Sequence, residues 1–428
     1  MQIILFDDHN TRITFDFSNV CDITKRTPAA KYGGIFMETI MRNAQEIKEE
    51  LLEIRRSLHS HPEVGSSLPY AKAFVSDKLR SFGYEPEEIC ESCIVAVLKG
   101  GKSGKTLMLR ADMDALKIVE KADLPFAANN GCMHACGHDM HVTMLLGAAK
   151  LLKEHQEEIS GNIKFVFQPN EEGFEGAKAM LKAGVLESPK VDAAMALHVN
   201  SGTPSGLVLG GKGTSMAGCI FFRIKVKGTG CHGAMPDTGV DPINIAAHIH
   251  LSLQEIIARE VSPTTPATLT IGRFIAGEAP NIIPEEVLIE GSIRTMDKAV
   301  GDYIYHRIEE ISTQTATLFR GQASVEEICS VPPLKNNADL VTQMAGFIGE
   351  MIDPRSIVLF ENGGMGSEDF SVISQEVPCS YLLLGAGTAE EKVAYGKPMH
   401  NECVVFNEDV LPIGTAIFSH CALRWLQG

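Results

Sequence analysis

The chain has few basic residues and lacks long hydrophobic runs. It contains 38 Lys and Arg against 54 Asp and Glu, which gives a formal charge of −16 at pH 7. A surface this acidic argues against nucleic-acid binding and suits a protein that handles small molecules. No apolar run approaches the roughly 20 residues that a membrane-spanning helix needs, so we expect no membrane partner. The 428 residues are 44% hydrophobic and 21% charged, typical of a soluble globular protein with room for two domains.

The cysteines cannot all be paired, because there are eleven of them. No signal-peptide pattern opens the chain, so we expect reduced thiols in a cytoplasmic protein. Cys90 and Cys93 form an isolated C-x-x-C. Because no second pair completes a zinc site, plain thiols are favoured there over a redox or metal role.

Apolar strands alternate with helices over the first half of the chain. Strands are predicted over 94–98, 106–109, 162–167 and 193–197, and helices over 38–58, 71–82, 142–152 and 177–183. This alternation predicts an α/β fold in which a mostly parallel sheet is covered on both faces. In such sheets ligands bind beyond the carboxyl ends of the strands. Several acidic residues and one histidine are predicted to follow strands directly: Asp112, Asp114, Glu171, Glu172 and His198.

The pattern changes near residue 217. The predicted order between 217 and 331 is β-α-β-β-α-β, which is the ferredoxin-like split unit. We therefore predict an N-terminal extension over 1–36, a catalytic domain formed by 37–216 and 332–428, and an inserted domain over 217–331. The extension carries no motif, and a small added hairpin is the alternative interpretation of its two strand-like segments.

One short segment is dense in metal-binding side chains. His134-Ala-Cys136-Gly-His138-Asp-Met-His141 places a thiol and three imidazoles where a helix begins. Soft and borderline ligands at this density suit zinc, manganese, cobalt or nickel. Cys136 as a covalent nucleophile is the rival interpretation. The surrounding carboxylates and imidazoles favour a metal.

Adjacent carboxylates follow the strand predicted over 162–167. In Gln168-Pro-Asn-Glu171-Glu172-Gly, one carboxylate can bind metal while its neighbour transfers protons. His232 stands among glycines in a loop, and Arg294 can bind a carboxylate through two hydrogen bonds. Taken alone, His198, His232 and His400 would be ordinary strand-end or loop residues.

Five motifs, in order and spacing, resemble the metallo-amidohydrolases. That family includes aminoacylases, hippurate hydrolases and indole-acetyl-amino-acid hydrolases, and it is related to carboxypeptidase G and succinyl-diaminopimelate desuccinylase. The resemblance runs from about Met37 to the end of the chain. The motifs are Leu58-His-Ser-His-Pro-Glu63, Leu109-Arg-Ala-Asp-Met-Asp-Ala-Leu116, His134-Ala-Cys-Gly-His-Asp139, Gln168-Pro-Asn-Glu-Glu-Gly173 and Met365-Gly-Ser-Glu-Asp-Phe370.

The resemblance implies a site for two divalent metal ions, whether manganese, zinc, cobalt or nickel. Cys136 would bridge them, with Glu172 and His400 on one ion and His138 and His198 on the other. It also implies that Glu171 is the general base and that Asp114 orients a ligand imidazole.

The resemblance further implies a metallo-exopeptidase-like catalytic domain whose inserted domain is a lid that dimerises. His232 would stabilise the oxyanion from the partner subunit, and Asn281 and Arg294 would hold the substrate carboxylate. The implied reaction is hydrolysis of an N-acyl amino acid to a carboxylate and a free amino acid by a homodimer or dimer-based oligomer. Lys117 and Cys231 depart from the family pattern without removing an expected ligand. A dipeptidase or carboxypeptidase on the same scaffold and a non-catalytic binding protein are the alternatives.

Overall fold

The computed structural model describes residues 2–6, 12–16, 34–361, 363–387 and 397–427. Much of the predicted N-terminal extension therefore lies outside the described residues. Its two described segments, β1 (Gln2–Phe6) and β2 (Arg12–Asp16), pair as an antiparallel hairpin.

Strands and helices alternate along the rest of the chain. The strands are β3 (Glu87–Cys90), β4 (Cys93–Lys99), β5 (Lys102–Asp112), β6 (Ser160–Gln168), β7 (Ala193–Pro204), β8 (Val208–Gly211), β9 (Thr214–Met216), β10 (Gly218–Lys227), β11 (Cys231–His232), β12 (Ala267–Ala276), β13 (Ile282–Ile283), β14 (Glu286–Thr295), β15 (Gln322–Val331), β16 (Leu334–Lys335), β17 (Ile357–Phe360) and β18 (Cys379–Gly387). The helices are α1 (Gly34–Glu46), α2 (Lys48–His59), α3 (Pro69–Ser81), α4 (His138–Glu154), α5 (Gly176–Lys182), α6 (Pro242–Glu255), α7 (Lys298–Leu318), α8 (Ala338–Met351), α9 (Phe370–Ile373) and α10 (Leu411–Gln427). None of the helices in the described ranges is long and apolar enough to cross a bilayer.

The central sheet has the order β17-β8-β18-β7-β5-β6-β4-β3. Its parallel pairs are β17 with β8, β18 with β7, β7 with β5, and β5 with β6. The remaining neighbours are antiparallel. The predicted α/β class with a mostly parallel sheet is confirmed.

Alternate residues of the central strands enter two different hydrophobic cores. Ile94, Ala96 and Leu98 of β4 belong to the larger core, which also holds α4 and α10, whereas Cys93 and Val95 belong to a smaller core with α5 and α9. Successive strand residues point to opposite faces, so both faces of the sheet are covered.

A second sheet with the order β12-β14-β10-β15 lies between β9 and β16 in the chain. All its neighbours are antiparallel, and α6 and α7 pack on one face around Phe222, Ile224 and Ile289. This is the ferredoxin-like arrangement that the sequence pattern predicts. The exact domain boundaries stay a prediction.

Two expected features differ in the structure. The helix expected over 38–58 is divided at Ile47, whose φ of −93° and ψ of 11° depart from helical values. The strand expected to end at 197 continues to Pro204, because it remains paired with β18 through Leu383 and Gly387. His198 therefore lies within β7, and Asp112 is the last residue of β5, so the expectation that these two residues directly follow strands is wrong.

Lys164 is a buried cation inside β6. Its side chain is 2% exposed, and its Nζ donates to the carbonyl oxygens of Val185 (2.8 Å), Glu187 (2.6 Å) and Pro189 (3.0 Å). This one ammonium group satisfies three carbonyls of the segment that leads into β7.

Replacing Lys164 with Met is expected to lower the free energy of unfolding by about 3 kcal/mol, because buried carbonyls lose their donor. Urea denaturation measures this loss. The matched control is Lys227→Met at the exposed end of β10, for which we expect a change within about 0.5 kcal/mol. Equal losses in the two variants would contradict a role for the carbonyl contacts.

Candidate metal centre

Separate elements bring candidate ligands to one point. Cys136 lies in the loop before α4, and His138 is the first residue of that helix. Between them, Gly137 adopts a φ of 89°, a left-handed conformation that favours glycine. His198 comes from β7, and His400 comes from the segment between β18 and α10.

The Cys136 thiol is shared by two groups of candidate ligands. Its Sγ lies 3.5 Å from Nε2 of His198 and 3.3 Å from Nε2 of His400. The ligand atoms of Cys136, His138 and His198 all lie within 4.8 Å of one another, and so do those of Cys136, Glu172 and His400. One sulfur atom therefore contributes to both groups.

Hydrogen bonds to backbone carbonyls fix the rings of His138 and His198. Nδ1 of His138 donates to the Asp114 carbonyl (2.8 Å), and Nδ1 of His198 donates to the Val199 carbonyl (2.6 Å). Because a carbonyl only accepts, each Nδ1 carries the proton. The Nε2 lone pairs are left for a ligand, as in metal-bound histidines whose other nitrogen is held by the protein.

Among the residues that the structure describes, two buried polar atoms of this cluster make no hydrogen bond. They are Nε2 of His138 and Oε1 of Glu172, although the latter lies 3.3 Å from Nε2 of His400. Such orphaned acceptors are rare in folded proteins unless they serve a ligand. Together with a thiol they form a mixed sulfur, nitrogen and oxygen donor set, which fits a divalent transition metal and does not select one.

Burial keeps two of the candidate ligand side chains, Cys136 and His198, in their neutral forms when no cation neutralises the site, whereas hydrogen bonds to Cys136 and Glu172 raise the pKa of His400 to about 10. Burial raises the pKa of the Cys136 thiol and lowers the pKa of His198. A neutral imidazole is the form that ligates metal, whereas the thiol must lose its proton. A bound cation would favour the thiolate.

Asp114 anchors the paired glutamates. Its carboxylate accepts from the backbone N–H groups of Glu171 (3.0 Å) and Glu172 (3.1 Å), and its Oδ1 lies 3.6 Å from Nδ1 of His138. Burial raises the pKa of Asp114. Asp114 thus fixes the glutamate backbone through its carboxylate and the first histidine of α4 through its backbone carbonyl.

The turn that carries the glutamates begins and ends in left-handed conformations. Asn170 has a φ of 55° and Phe174 a φ of 58°. Each costs about 1–2 kcal/mol for a residue with a side chain, so surrounding contacts must hold the turn. Nδ2 of Asn170 donates to Oγ of Ser66 (3.0 Å), and the Phe174 ring stacks on Phe221 of β10 with centroids 5.9 Å apart.

Glu171 is a buried carboxylate among other acids. Burial and the carboxylates of Glu368 and Glu172 raise its pKa well above the usual range. Its Oε1 lies 3.4 Å from the backbone N–H of Asp369, which donates to it. A raised pKa makes a carboxylate a stronger base, which suits a group that accepts a proton and later returns it.

Arg110 organises the acids behind Glu171, a role that the sequence analysis missed. Its guanidinium donates to Asp112 (2.7 Å), Glu368 (2.9 Å) and Asp369 (3.1 Å). These residues do lie in two of the five motifs: Arg110 and Asp112 in the motif over 109–116, and Glu368 and Asp369 in the motif over 365–370. The sequence spacing did not indicate that these motifs meet.

His141 supports the site from behind. Its Nε2 accepts from the Val199 backbone N–H (2.8 Å), so its Nδ1 carries the proton and donates to Asp112 (2.5 Å). Both ring nitrogens are therefore engaged. His141 holds the strand residue that follows His198.

The residues expected to contact substrate form two other groups. His232 is exposed in β11, and the next residue, Gly233, donates its N–H to the Asn281 carbonyl (2.8 Å). Arg294 donates to the Met365 carbonyl (3.2 Å) and to Oγ of Ser367 (3.0 Å). Within the ranges that the structure describes, no hydrogen bond or ion pair joins His232 to the Cys136 cluster, and no metal-ligand group includes it.

Comparison with known proteins gives consistent matches. The sequence model of peptidase family M20/M25/M40 matches residues 108–424. The chain is 35% identical over 394 residues to thermostable carboxypeptidase 2 of Saccharolobus solfataricus, covering 91% of this chain and 98% of that protein. It is 36% identical over 381 residues to IAA-amino acid hydrolase ILR1-like 4 of Arabidopsis thaliana, covering 88% and 86%. The crystal structure of the Bacillus subtilis YXEP protein, a dinuclear metal-binding peptidase from the M20 family, superposes with a TM-score of 0.74 at 27% identity, covering 90% of this chain and 99% of that chain.

Proposed function

The chain belongs to peptidase family M20/M25/M40, and from this premise we propose that it is a metal-dependent amidohydrolase that cleaves N-acyl amino acids to a carboxylate and a free amino acid. The observation that carries the proposal is the Cys136 thiol, which two groups of candidate metal ligands share beside the buried Glu171 carboxylate. A relative named for hydrolysis of IAA-amino acids supports the substrate class.

We propose that two divalent ions bind here, with Cys136 between them. Glu172 and His400 would hold one ion, and His138 and His198 the other. Two observations support this assignment: the two ligand groups share the thiol, and a related crystal structure is described as dinuclear. Bound cations supply Lewis acidity, which polarises an amide carbonyl and makes water reactive near neutral pH.

The His198→Ala variant is expected to bind about one ion per chain instead of about two, because one ligand group loses its second imidazole. Mass spectrometry of the metal content after dialysis measures this. The matched control is His420→Ala, which alters a buried histidine of α10 that is hydrogen-bonded to Glu350 of α8. A His198→Ala protein that retains the full metal content would contradict the assignment.

Glu171 is the proposed general base. Its carboxylate takes a proton from the attacking water and returns it to the nitrogen of the leaving amine. Asp114 supports this step by holding the Glu171 backbone N–H. Arg294 and Asn281 are the proposed contacts for the substrate carboxylate, because a guanidinium and an amide both donate hydrogen bonds to carboxylate oxygens.

We propose that the protein is a homodimer, or an oligomer built from dimers, in which His232 acts on the partner's site. Within one chain His232 is exposed, and among the described residues no hydrogen bond or ion pair joins it to the Cys136 cluster. The edge strand β12 exposes Phe274 (42%) and Ile275 (45%). An edge strand with apolar side chains is a ready site for pairing with a second copy.

A cytoplasmic location is also proposed, supported by the unpaired thiols of the described residues.

The test is a screen of N-acyl amino acids, varied at the acyl and amino-acid ends, with metal-reconstituted protein. We expect metal-dependent release of free amine, and a chelator should abolish it. Matched dipeptides test the second candidate, a carboxypeptidase, which is favoured by the relative of that name. Preferential cleavage of dipeptides would replace the proposal, and metal-loaded protein without any turnover would support a binding protein instead.

A further inference from the structure

Cys90 and Cys93 face each other across a hairpin at the edge of the central sheet. Cys90 ends β3 and Cys93 begins β4, and they are antiparallel partners across a two-residue turn, next to a register shift between Glu88 and Cys90. Opposed residues of antiparallel strands have Cα atoms about 4.5–5.5 Å apart. This lies within the Cα separation of about 4.4–6.8 Å that a disulfide spans.

The turn between the two cysteines is held on both sides. Ser92 adopts a φ of 56°, its N–H donates to Glu88 (2.8 Å), and its Oγ accepts from the N–H of Leu68 (2.9 Å). These contacts fix the backbone of the hairpin. The two thiols therefore stay opposed without rearrangement of the chain.

The two thiols differ in accessibility and in proton affinity. Cys90 is half-buried, whereas Cys93 is completely buried beside Ala177 and Met180 of α5. A hydrogen bond with Cys93 lowers the pKa of the Cys90 thiol, and the same bond raises the pKa of Cys93. An accessible thiol of lowered pKa beside a buried second thiol is the arrangement of an attacking and a resolving cysteine.

We propose that Cys90 and Cys93 form a reversible dithiol–disulfide site, separate from the metal centre, that a small neutral disulfide oxidises. The Cys90 thiolate attacks one sulfur of the small disulfide, whose S–S bond breaks and releases one thiolate. Cys93 then gives its proton to solvent and attacks Cys90 Sγ, which expels the second thiolate. Two protein thiols are thus oxidised while one disulfide is reduced to two thiols. The acidic neighbours Glu88 and Glu91 favour an uncharged oxidant over an anionic one.

The experiment treats the full-length, metal-loaded protein with 2-hydroxyethyl disulfide, blocks the remaining thiols by alkylation and maps the peptides by mass spectrometry. We expect an internal Cys90–Cys93 disulfide that dithiothreitol reverses. In Cys93→Ser, where no resolving thiol remains, a mixed disulfide should accumulate on Cys90. In Cys90→Ser, Cys93 should remain unmodified because it is buried.

Cys329→Ser is the matched control, since it removes another half-buried thiol and should leave the internal disulfide unchanged. The wild-type result does not depend on whether any variant folds. Wild-type protein that stops at a mixed disulfide on Cys90, or that leaves Cys90 unmodified, would overturn the proposal. So would loss of the Cys90–Cys93 product in Cys329→Ser.

Discussion

The Glu171→Gln variant is expected to lose about 10²–10⁴-fold in kcat while keeping its metal content, because an amide cannot accept the proton of the attacking water. Gln matches Glu in size, so it should preserve the hydrogen bonds of the Asn170–Phe174 turn to Asp114, which involve the backbone. The measurement combines steady-state hydrolysis of an N-acyl amino acid with metal analysis of the same sample.

Glu350→Gln is the matched control for this variant. Glu350 is a partly buried carboxylate paired with Arg424 and His420, far along the chain from the glutamate turn. We expect its kcat to remain near that of the unmodified protein. Near-full activity of Glu171→Gln with a full complement of metal would exclude Glu171 as the base.

The His232→Ala variant is expected to lose about 10²–10³-fold in kcat, the usual effect of removing one oxyanion donor. Its metal content should not change, because His232 lies outside every candidate ligand group of the described residues. His306→Ala, an exposed histidine of α7 in the same inserted region, is the matched control and should retain its activity.

Mixing subunits tests whether His232 acts across a dimer. His232→Ala and Glu171→Gln subunits, unfolded together and refolded in equal amounts, should form mixed dimers with one intact site of two. Random pairing then predicts about a quarter of the wild-type activity, although each parent is nearly inactive. If mixed dimers form without regaining activity, His232 must serve the site of its own chain.

Local sequence patterns were sufficient to predict much of the fold. The period of apolar residues located the long strands and helices, and their alternation gave the parallel sheet and the inserted ferredoxin-like unit. The short strands β8, β9 and β17 are not predicted, because three or four residues are too few to show the alternation of apolar and polar side chains that marks a strand. The apolar run ends at 197 and predicts that His198 follows the strand, whereas pairing with β18 extends β7 to Pro204.

The candidate ligands could be named from motifs, but their supporting contacts could not. Arg110 and Glu368 lie 258 residues apart and meet only in the folded chain. The hydrogen bond of His141 to the Val199 backbone likewise depends on how α4 packs against β7. Such contacts leave no local trace in composition or spacing. Residue types indicate the chemistry, and tertiary structure decides which of them face the metal.

The stack of Phe174 on Phe221 has a mechanical consequence. Phe174 closes the turn that carries Glu171 and Glu172, whereas Phe221 lies near the start of β10, the strand through which the chain enters the inserted region. A swing of that region about its connecting strands must either drag the turn with it or pull the rings apart. If the rings stay stacked, and if Glu171 is the base as proposed, movement of the inserted region would shift the Glu171 carboxylate, so opening of the site and loss of catalytic alignment would occur together.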